Sequence, residues 1–513
     1  MRSKLESLLP PGSPGRRAAA LILILLALRL LLSAVMPLIA DEAYAVVVSR
    51  QPSLSYFDHP LLGFGFARAA AWAFGSEATF VVRLPHVLLG SASAWLLFLV
   101  TRRAFGARAG LWAVAWYSVA PFFLVSAGHF VVPDGPLNFF MLLTLWLVLP
   151  DLLSEGPPRT GRWLVAGLAL GAALLSKYTA ALFGLGAFIV LAALPRGRRL
   201  LGSPGPWLAG VIAALCTAPI LIWNMQHGWA SLGFQSGRAF DVAAHPGTFL
   251  AVQLGQAGFL LPWIWVLALW TIVSGLFRPA TSAERIFAIL ACVPVALFDA
   301  VSVFSSEPLP HWAMPGFLFA FPLVGRWCAE ATTRHPAAIR RLFAGSAAAV
   351  LLLALAVVLE TNQAVVSRAL GRSETRSFDW TFRSWSALAD DFAARGILAD
   401  GNAYLVPTSW LIGGKAGHAL GPGLPVAPPV ADPRHFAFMD DPRLAGRMKG
   451  YAVLAVWPGE DMAGRAELKR LVTPAYRPVG EPWTVVQRFG GLPAFDFVVQ
   501  PVERRWRLTR PAR

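Results

Sequence analysis

DEAYAVVVSRQPSLSYFDHP, residues 41–60, follows directly on the first long apolar run of the chain. Its first two residues, Asp41 and Glu42, are acidic, and a further polar pair, Asp58 and His59, stands near its end. An ionisable side chain at the edge of hydrocarbon is costly, because the apolar medium cannot solvate its charge. Four such side chains beside one membrane-length segment indicate a polar site at the membrane surface, with the remainder of the chain as its scaffold.

The composition is that of an integral membrane protein. The 513 residues are 56% hydrophobic and only 14% charged, and the mean hydropathy is +0.57. Soluble domains carry about 25% charged residues. The net charge of +16 does not indicate a nucleic-acid partner, because the basic residues form short clusters between apolar runs and follow no RNA- or DNA-binding motif. We expect the lipid bilayer as the surroundings and no nucleic acid among the partners.

Apolar runs predict about eleven membrane spans, since each span needs about 20 apolar residues. They lie at residues 18–40, 80–101, 109–127, 136–150, 163–176, 178–194, 206–223, 249–277, 285–304, 313–330 and 342–360. The fifth and sixth runs are short, and one long tilted helix is the alternative. Two spans are preferred, because only then do the basic clusters before and after this pair fall on the same side of the membrane.

Basic residues predict the orientation, because connections rich in Lys and Arg stay in the cytoplasm. The rich connections include Arg16, Arg17, Arg102, Arg103, Arg108, Arg159, Arg162, Arg196, Arg198, Arg199, Arg278, Arg285, Arg334, Arg340 and Arg341. The alternate connections hold few basic residues, namely Arg50, Arg68, Lys177 and Arg238. These connections, at residues 41–79, 128–135, 176–178, 224–248 and 305–312, are therefore predicted to lie outside.

The predicted fold is an all-α polytopic membrane domain, residues 1–360, followed by a small α/β domain, residues 361–513. Within the first outer connection, residues 60–74 are apolar but too short to span, which is typical of a helix lying along the interface. After Glu360 the composition becomes that of a soluble domain. Periodicity there predicts helices at 380–395 and 459–471, strands at 402–407 and 451–457, and a pair of strands within 483–499.

Five short motifs in the outer connections resemble those of a known family. They are Asp-Glu-Ala-Tyr at 41–44, Tyr-Phe-Asp-His-Pro at 56–60, Pro-Asp-Gly-Pro-Leu at 133–137, Leu-Ser-Lys-Tyr-Thr-Ala at 175–180 and Pro-His-Trp at 310–312. In this order they resemble the membrane glycosyltransferases of the GT-C superfamily, and more narrowly the bacterial protein-mannosyltransferase-like branch. That branch includes enzymes that add aminoarabinose or galacturonic acid to lipid A and lipopolysaccharide core.

The resemblance implies an inverting glycosyltransferase of the bacterial inner membrane, with its active site and C-terminal domain on the periplasmic or extracellular side. Such an enzyme moves a sugar from a polyprenyl-phosphate carrier to a lipid, glycan or protein acceptor. By the same resemblance, Asp41 is a general base or acceptor-orienting group, and Asp134 matches the acid of the second outer loop. Relatives carry an acid, then Lys or His, then two prolines at the position of Asp58 and His59, whereas Leu61 replaces the second proline here.

The chemistry explains why such residues are needed. Negative charge grows on the phosphate of the donor as the glycosidic bond breaks, and a cation aimed there stabilises the transition state. Lys177, Arg238 and a protonated His59 are the candidates. A carboxylate, Asp41 or Asp134, removes the proton of an attacking hydroxyl, which contributes typically about 10²–10⁴-fold. If the acceptor is itself a phosphate, no base is needed, and these acids orient it or bind metal.

Further candidates line the same predicted face. The predicted substrate-binding residues are Glu42, Tyr44, Asp58, His59, Lys177, Tyr178, Arg238, Glu307 and His311. No cofactor is certain; a divalent metal is possible, held by Asp58, His227, Glu307 and His311, whose side chains suit such an ion but form no sequence motif.

Structural roles compete with these assignments. Asp41, Glu42 and Asp134 also suit helix N-termini, Lys177 suits a contact with lipid headgroups, and Glu307 with His311 suits a hydrated loop. A transporter or flippase of lipid-linked sugars is the alternative function, but it needs polar residues at mid-bilayer. The predicted spans contain few such residues, chiefly Arg29 and Asp299. A scaffold whose outer domain binds a partner is the third alternative.

Overall fold

The structure, a computed structural model, describes residues 12–237, 246–305 and 307–505. Within these ranges, six helices are long and apolar enough to cross a membrane, and three bent helix pairs raise the number to nine if each pair is one span. The six are Pro14–Val35, Thr79–Phe105, Asp134–Leu153, Pro204–Gln226, Ser282–Phe304 and Pro336–Gln363.

The three bent pairs each break at a proline. Ala107–Val119 and Phe122–His129 meet at 86°, Ala180–Ala193 and Pro195–Leu201 at 105°, and Gly247–Leu260 and Pro262–Phe277 at 104°. Pro121, Pro195 and Pro262 stand at these breaks. A proline lacks the backbone N–H that a continuous helix needs, but it suits the first turn of a new helix. The sequence therefore interrupts these three apolar runs at defined points.

The helical pattern agrees with the predicted spans. Nine of the eleven predicted runs correspond to the six long helices and the three bent pairs. The other two correspond to shorter helices, Thr160–Ser176 for one and Met314–Leu318 with Phe321–Arg334 for the other. The predicted interfacial segment is the helix Leu61–Phe74, on which Trp72 and Phe74 are exposed, as expected of apolar side chains that face lipid.

Small residues allow close helix packing in the membrane part. A Cβ added to Gly167 would lie 2.7 Å from the backbone oxygen of Ala209, and one added to Gly325 would lie 2.4 Å from that of Ala109. Glycine at such positions lets two helix backbones approach each other. Large aromatic side chains, among them Trp116, fill the remaining core.

The C-terminal part contains a five-stranded mixed sheet, in which β1 Ala403–Pro407 is parallel to β2 Lys449–Val456. β5 Leu492–Arg504 is antiparallel to β2, to β3 Tyr476–Pro478 and to β4 Trp483–Phe489. The turn from β4 to β5 is Gly490–Gly491, whose φ angles of 54° and 87° favour glycine. Helices Ser386–Ala394, Trp410–Ala419 and Asp461–Val472 accompany the sheet.

The elements predicted after Glu360 are largely present. The strands at 402–407 and 451–457, the strand pair in 483–499 and the helix at 459–471 are confirmed. The predicted helix 380–395 is instead a 3₁₀ turn, Trp380–Phe382, followed by the helix Ser386–Ala394. The helix Trp410–Ala419 and the strand β3 were not predicted. Two glycines in the middle of that helix weaken its sequence signal, because glycine is a poor helix former.

Contacts divide the described chain into two compact units. The first contains the chain up to Leu32, Leu54–Phe66 and Arg83–Val350, and the second contains Ser33–Ser53, Ala67–Val82 and the chain from Leu351 onward. The predicted boundary at residue 360 lies close to the last of these divisions. The two short segments 33–53 and 67–82, however, group with the C-terminal residues. We call the two parts the first unit and the second unit.

The remaining helices connect the elements above. They are Ala40–Val48, Ala230–Gly237 and Val365–Ala369, with short 3₁₀ helices at Pro310–Ala313, Ile397–Ala399, Arg434–Phe438 and Pro442–Leu444.

Candidate functional site

In the first unit, Lys177 and Asp134 form a buried ion pair. Asp134 is the first residue of the helix Asp134–Leu153, and Lys177 directly follows the helix Thr160–Ser176. The Nζ atom of Lys177 donates to both carboxylate oxygens of Asp134 at 2.9 Å. Only 8% and 6% of the two side chains are exposed. Lys177 is therefore held by Asp134, and the alternative in which it extends to lipid headgroups is wrong.

Gly63 explains how three separate segments meet at this pair. A Cβ on Gly63 would lie 3.2 Å from the backbone oxygen of Ser176, 3.3 Å from Cβ of Pro133 and 3.4 Å from Cβ of His59. Ser176 directly precedes Lys177, and Pro133 directly precedes Asp134. His59 is the second residue of the Asp58–His59 pair. A glycine at this position lets all three segments approach each other, which brings His59 to the ion pair.

Two histidines complete the charged surroundings of Asp134. The imidazoles of His311 and His59 are close enough to interact electrostatically with its carboxylate. His311 lies on the 3₁₀ helix Pro310–Ala313. The structure thus gathers an acid, a lysine and two histidines from four separate parts of the chain.

The helix Ala230–Gly237 packs beside the same cluster. Its Gln235 donates from Nε2 to the backbone oxygen of Asp58 at 2.7 Å, and its Ser231 shares a 2.7 Å hydrogen bond with the hydroxyl of Tyr178. The side chain of Asp58 is 96% buried, since its exposed fraction is 4%. Ser231 and Gln235 were missed from the sequence, where the only signal was the general polarity of this outer connection.

The other predicted residues of the first unit are His227 and Glu307, which the structure describes, and Arg238, which it does not. Nδ1 of His227 is 2.7 Å from the backbone oxygen of Trp223, and its ring stacks on the Trp223 indole. Glu307 is exposed in its loop, and Arg238 lies outside the described residues. No group of three or more His, Cys, Asp or Glu side chains in residues 12–237, 246–305 and 307–505 is placed to hold a metal ion. The predicted metal set of Asp58, His227, Glu307 and His311 is therefore not assembled there.

In the second unit, Asp41 lies in the first turn of the helix Ala40–Val48. The neighbouring Glu42 accepts a hydrogen bond from the backbone N–H of Ile39 at 3.0 Å and is fully buried. Glu42 thus stabilises the start of the helix, as one of the structural alternatives predicted. The side chain of Asp41 is exposed, and its carboxylate accepts a hydrogen bond from its own backbone N–H.

The helix Trp410–Ala419 holds the helix that carries Asp41. A Cβ on Gly414 would lie 2.6 Å from the backbone nitrogen of Tyr44, so the two backbones are in direct contact there. The Nζ atom of Lys415 donates to the backbone oxygen of Leu38 at 2.6 Å, which fixes the chain just before the Asp41 helix. The position of Asp41 therefore depends on residues far along the chain.

Tyr44 is enclosed by the same contacts. Its hydroxyl accepts from the backbone N–H of His435 at 3.1 Å, and its ring packs edge-on against Trp410 and Phe436. It is 3% exposed. Both its ring and its hydroxyl are therefore engaged within the second unit.

Asp41 has electrostatic properties that suit proton transfer. Although the Asp41 side chain is exposed at its surface, the protein packed around it partly desolvates the carboxyl group and raises its pKa, and the nearby Arg434 guanidinium partly opposes this effect. Arg434 itself lies over the Trp410 ring, with Cζ 3.9 Å from the centroid. A carboxylate with a raised pKa binds a proton more readily near neutral pH.

A polar cavity of about 540 Å³ lies in the second unit, beyond the other end of the Asp41 helix. Arg50 and Glu77 are paired at 2.7 Å along its wall, and so are Arg443 and Asp441. Arg68 also lines the cavity and has no ion pair with any residue that the structure describes. We call this space the Arg68 cavity.

The predicted site residues thus fall into two groups. Asp58, His59, Asp134, Lys177, Tyr178 and His311 belong to the first unit, and Asp41, Glu42 and Tyr44 belong to the second. The prediction that Asp41 and Asp134 face one common pocket stays a prediction.

Comparison with known proteins gives three relevant likenesses. Residues 58–223 match the family described as dolichyl-phosphate-mannose-protein mannosyltransferase. The chain is 26% identical over 352 residues to the lipid A galacturonosyltransferase RgtD of Rhizobium johnstonii, which covers 65% of this chain and 70% of that one.

The third likeness is structural. Crystal structures of ArnT from Cupriavidus metallidurans match in the apo state, with a TM-score of 0.63, and bound to undecaprenyl phosphate, with a TM-score of 0.61. In both, sequence identity is 16%, and the match covers 94% of this chain and 97% of the other. The predicted fold class is thereby confirmed.

Proposed function

We infer that this chain, a membrane glycosyltransferase of the GT-C superfamily and its protein-mannosyltransferase-like branch, transfers a sugar from a polyprenyl-phosphate carrier to a lipid with a phosphorylated saccharide headgroup. The membership of the superfamily, the enzyme class and the polyprenyl-linked donor were predicted from the motifs, and the relatives confirm them. The identity of the acceptor and the roles of individual residues are our proposal.

The buried Lys177–Asp134 pair is the observation that carries the proposed site. Two of the three ammonium protons of Lys177 point to Asp134, which holds the charge in place. The third proton is available for an oxygen of the donor phosphate. As the bond from the anomeric carbon to that phosphate breaks, the electron pair stays on the phosphate, and the fixed ammonium stabilises the growing negative charge.

Asp41 is the proposed general base. Both oxygens of Asp134 accept from Lys177, so this carboxylate is poorly placed to take a further proton. The side chain of Asp41 is exposed, and the pKa of its carboxyl group is raised. In the proposed step, an acceptor hydroxyl loses its proton to Asp41 as its oxygen forms a bond to the anomeric carbon. The carrier leaves from the opposite face as polyprenyl phosphate, which inverts the configuration.

His59 and His311 are proposed to contact the same donor phosphate. Both lie within electrostatic range of Asp134. An imidazole in its protonated form would add positive charge beside Lys177, and in its neutral form it would still donate one hydrogen bond. This arrangement suits an anionic group that enters next to the ion pair.

The Arg68 cavity is the proposed site of the acceptor headgroup. RgtD is a lipid A galacturonosyltransferase. The cavity is lined by two arginine–carboxylate pairs, which suit sugar hydroxyls, and by Arg68, whose guanidinium suits a phosphate. Val47 lines the cavity and lies six residues after Asp41 on the helix Ala40–Val48, which is about 9 Å at about 1.5 Å per residue. A disaccharide headgroup has a similar length, so one end of it would reach the base.

The functional face is proposed to lie outside the inner membrane. The outer connections contain Asp41, Asp58, Asp134, Lys177 and His311, and they hold few basic residues. The C-terminal domain is proposed to lie on the same side.

The transporter alternative receives no support. The two main polar residues within the predicted spans are satisfied internally. Arg29 donates to the backbone oxygens of Phe123 and Leu124, and Asp299 accepts from Gln253 and Gln256.

A transfer assay tests the proposal. Purified protein in lipid nanodiscs would be supplied with polyprenyl-phosphate sugars and with lipid A, or with lipid A whose phosphates have been removed, and products would be weighed by mass spectrometry. The mass gained by the acceptor names the sugar. We expect Arg68→Ala to raise the apparent KM for lipid A and to have little effect with the dephosphorylated acceptor, whereas the exposed control Arg372→Ala changes neither. Equal loss on both acceptors would contradict the acceptor assignment, and absence of any product with every donor would contradict the function.

A further inference from the structure

A second cavity, of about 630 Å³, lies in the first unit among the ends of four helices. Arg17 reaches it from the helix Pro14–Val35, Arg108 from Ala107–Val119 and Arg340 from Pro336–Gln363. Thr332 and Thr333 line it from the fourth helix, Phe321–Arg334. We call this space the arginine cavity.

The described lining of the cavity concentrates positive charge. No Asp or Glu occurs among its lining residues, and within the described ranges none of the three arginines forms an ion pair. Like charges brought together repel one another, and the repulsion grows where protein and lipid replace water. An anion bound among the three guanidinium groups would remove this repulsion.

The sequence predicts which side of the membrane this cavity faces. All three arginines belong to the connections that are rich in basic residues, and these are predicted to be cytoplasmic. Leu111 and Trp112 line the cavity beside the charges. A wall that is both cationic and apolar, at the ends of membrane helices, matches a ligand with phosphate groups next to acyl chains.

We propose that the arginine cavity binds the headgroup of an anionic phospholipid that carries two phosphates. Guanidinium groups match phosphate oxygens in pairs of hydrogen bonds. Three positive charges are balanced better by two phosphates than by one. Basic pockets between membrane helices on the cytoplasmic side are known to bind such headgroups. This site is distinct from the proposed catalytic residues and does not depend on the function proposed above.

Lipid retention measured on the full chain tests the proposal. Wild-type protein would be purified from nanodiscs of phosphatidylcholine, with phosphatidylglycerol or cardiolipin added at equal total charge, and native mass spectrometry would count the lipids that stay bound. We expect cardiolipin to be retained in preference to phosphatidylglycerol. The triple variant Arg17→Ala, Arg108→Ala, Arg340→Ala should lose about 100-fold in cardiolipin affinity, because each arginine near a membrane surface contributes about fivefold.

Two further variants keep the test decisive. Arg103→Ala removes an exposed arginine of the same basic cluster that does not line the cavity, and it should retain cardiolipin like the wild type. Thr333→Glu keeps all three arginines but adds a negative charge to the cavity wall, and it should weaken binding even if the triple variant fails to fold. Equal retention in Thr333→Glu and wild type, or equal retention of phosphatidylcholine and cardiolipin, would overturn the proposal. Equal retention of phosphatidylglycerol and cardiolipin would overturn its two-phosphate form.

Discussion

At the scale of single residues, the buried charges of Lys177 and Asp134 stabilise each other. Each is a charge taken out of water, and each is tolerable there only because the other is 2.9 Å away. Removing one partner of a buried pair leaves an uncompensated charge and typically costs about 3–5 kcal/mol. Loss of activity in a single variant would therefore mix a structural with a catalytic effect.

Single and double substitutions at this pair separate the two effects. We predict that Lys177→Met lowers both the free energy of unfolding and the rate of transfer, the latter by about 10²–10³-fold. In Lys177→Met with Asp134→Leu, both charges are gone, so stability should largely return while transfer stays low. Thermal unfolding and transfer rates of the three proteins would check this. Recovery of transfer in the double variant would show that the pair is only structural.

Asp41 gives a prediction about pH. Its raised pKa means that the folded state binds the proton of Asp41 more tightly than the unfolded state does. Below the ordinary carboxyl pKa of about 3.9 both states are protonated, and there is no penalty. As pH rises through that value the unfolded state ionises first, so the folded state loses stability, and this loss is complete above the raised pKa.

Asp41→Asn removes this ionisation. We therefore predict that the variant unfolds at a higher temperature than wild type at neutral pH but not at pH values below the ordinary carboxyl range. Its transfer rate should fall by about 10²–10⁴-fold, because the general base is lost. The exposed Asp390→Asn serves as control and should change neither property. Wild-type activity in Asp41→Asn would remove Asp41 from the mechanism.

At the scale of elements, glycines decide how close the segments of the site can come. Gly63 admits three neighbours within 3.4 Å of a would-be Cβ, and Gly414 admits the backbone of Tyr44 within 2.6 Å. An added methyl group must displace these neighbours, and overpacking of this kind typically costs about 1–3 kcal/mol. The two glycines thus position His59 and Asp41, respectively.

Gly63 and Gly65 lie on the same helix and form a matched pair. Gly63→Ala should separate His59 from Pro133 and Ser176 by a few tenths of an ångström, and we predict a lower transfer rate by about tenfold, as small misplacements of reacting groups reduce rates strongly. Gly65→Ala meets only one side-chain atom, at 3.9 Å. It should be neutral or slightly stabilising, because alanine favours helix. Equal effects of the two substitutions on transfer rates would contradict the role given to Gly63.

Gly414→Ala tests the support of Asp41 by the C-terminal residues. In an uncrowded helix this change would stabilise by up to about 1 kcal/mol, whereas here we predict a loss of about 1–3 kcal/mol together with reduced transfer. Gly423, also in the second unit, has nothing within 4 Å of its would-be Cβ, so Gly423→Ala is the control. Chemical or thermal unfolding of both variants provides the measurement. A stabilised Gly414→Ala would show that the two helices are not in contact.

At the scale of the whole molecule, the distribution of basic residues predicts how the chain crosses the membrane. Ser154 lies between spans in a connection that is rich in arginine, and Ser373 lies in the C-terminal domain; both are exposed. In a background without Cys216, Cys292 and Cys328, we predict that a membrane-impermeant thiol reagent labels Ser373→Cys in intact spheroplasts. Ser154→Cys should be labelled only after the membrane is opened. The reverse pattern would place the active site in the cytoplasm.

The local pattern of apolar and polar residues was sufficient to predict much of the secondary structure of this protein. Apolar runs of membrane length, prolines that interrupt them, and alternating apolar residues after Glu360 are properties of neighbouring residues, so the sequence alone predicted the membrane class, most spans and most strands of the C-terminal sheet. The motifs around Asp41, Asp134 and Lys177 likewise showed the resemblance to the GT-C glycosyltransferases from the sequence alone.

Only the tertiary structure decided which side chains meet. Lys177 pairs with an acid 43 positions earlier, and the chain before the Asp41 helix is held by Lys415, 377 positions later. No local period encodes such pairs, because they depend on which helix faces pack together and on the few glycines that allow close approach. For the same reason, the helix Trp410–Ala419 forms although its sequence has a low intrinsic helix propensity. Burial against Tyr44 and hydrogen bonds with distant residues outweigh that low propensity.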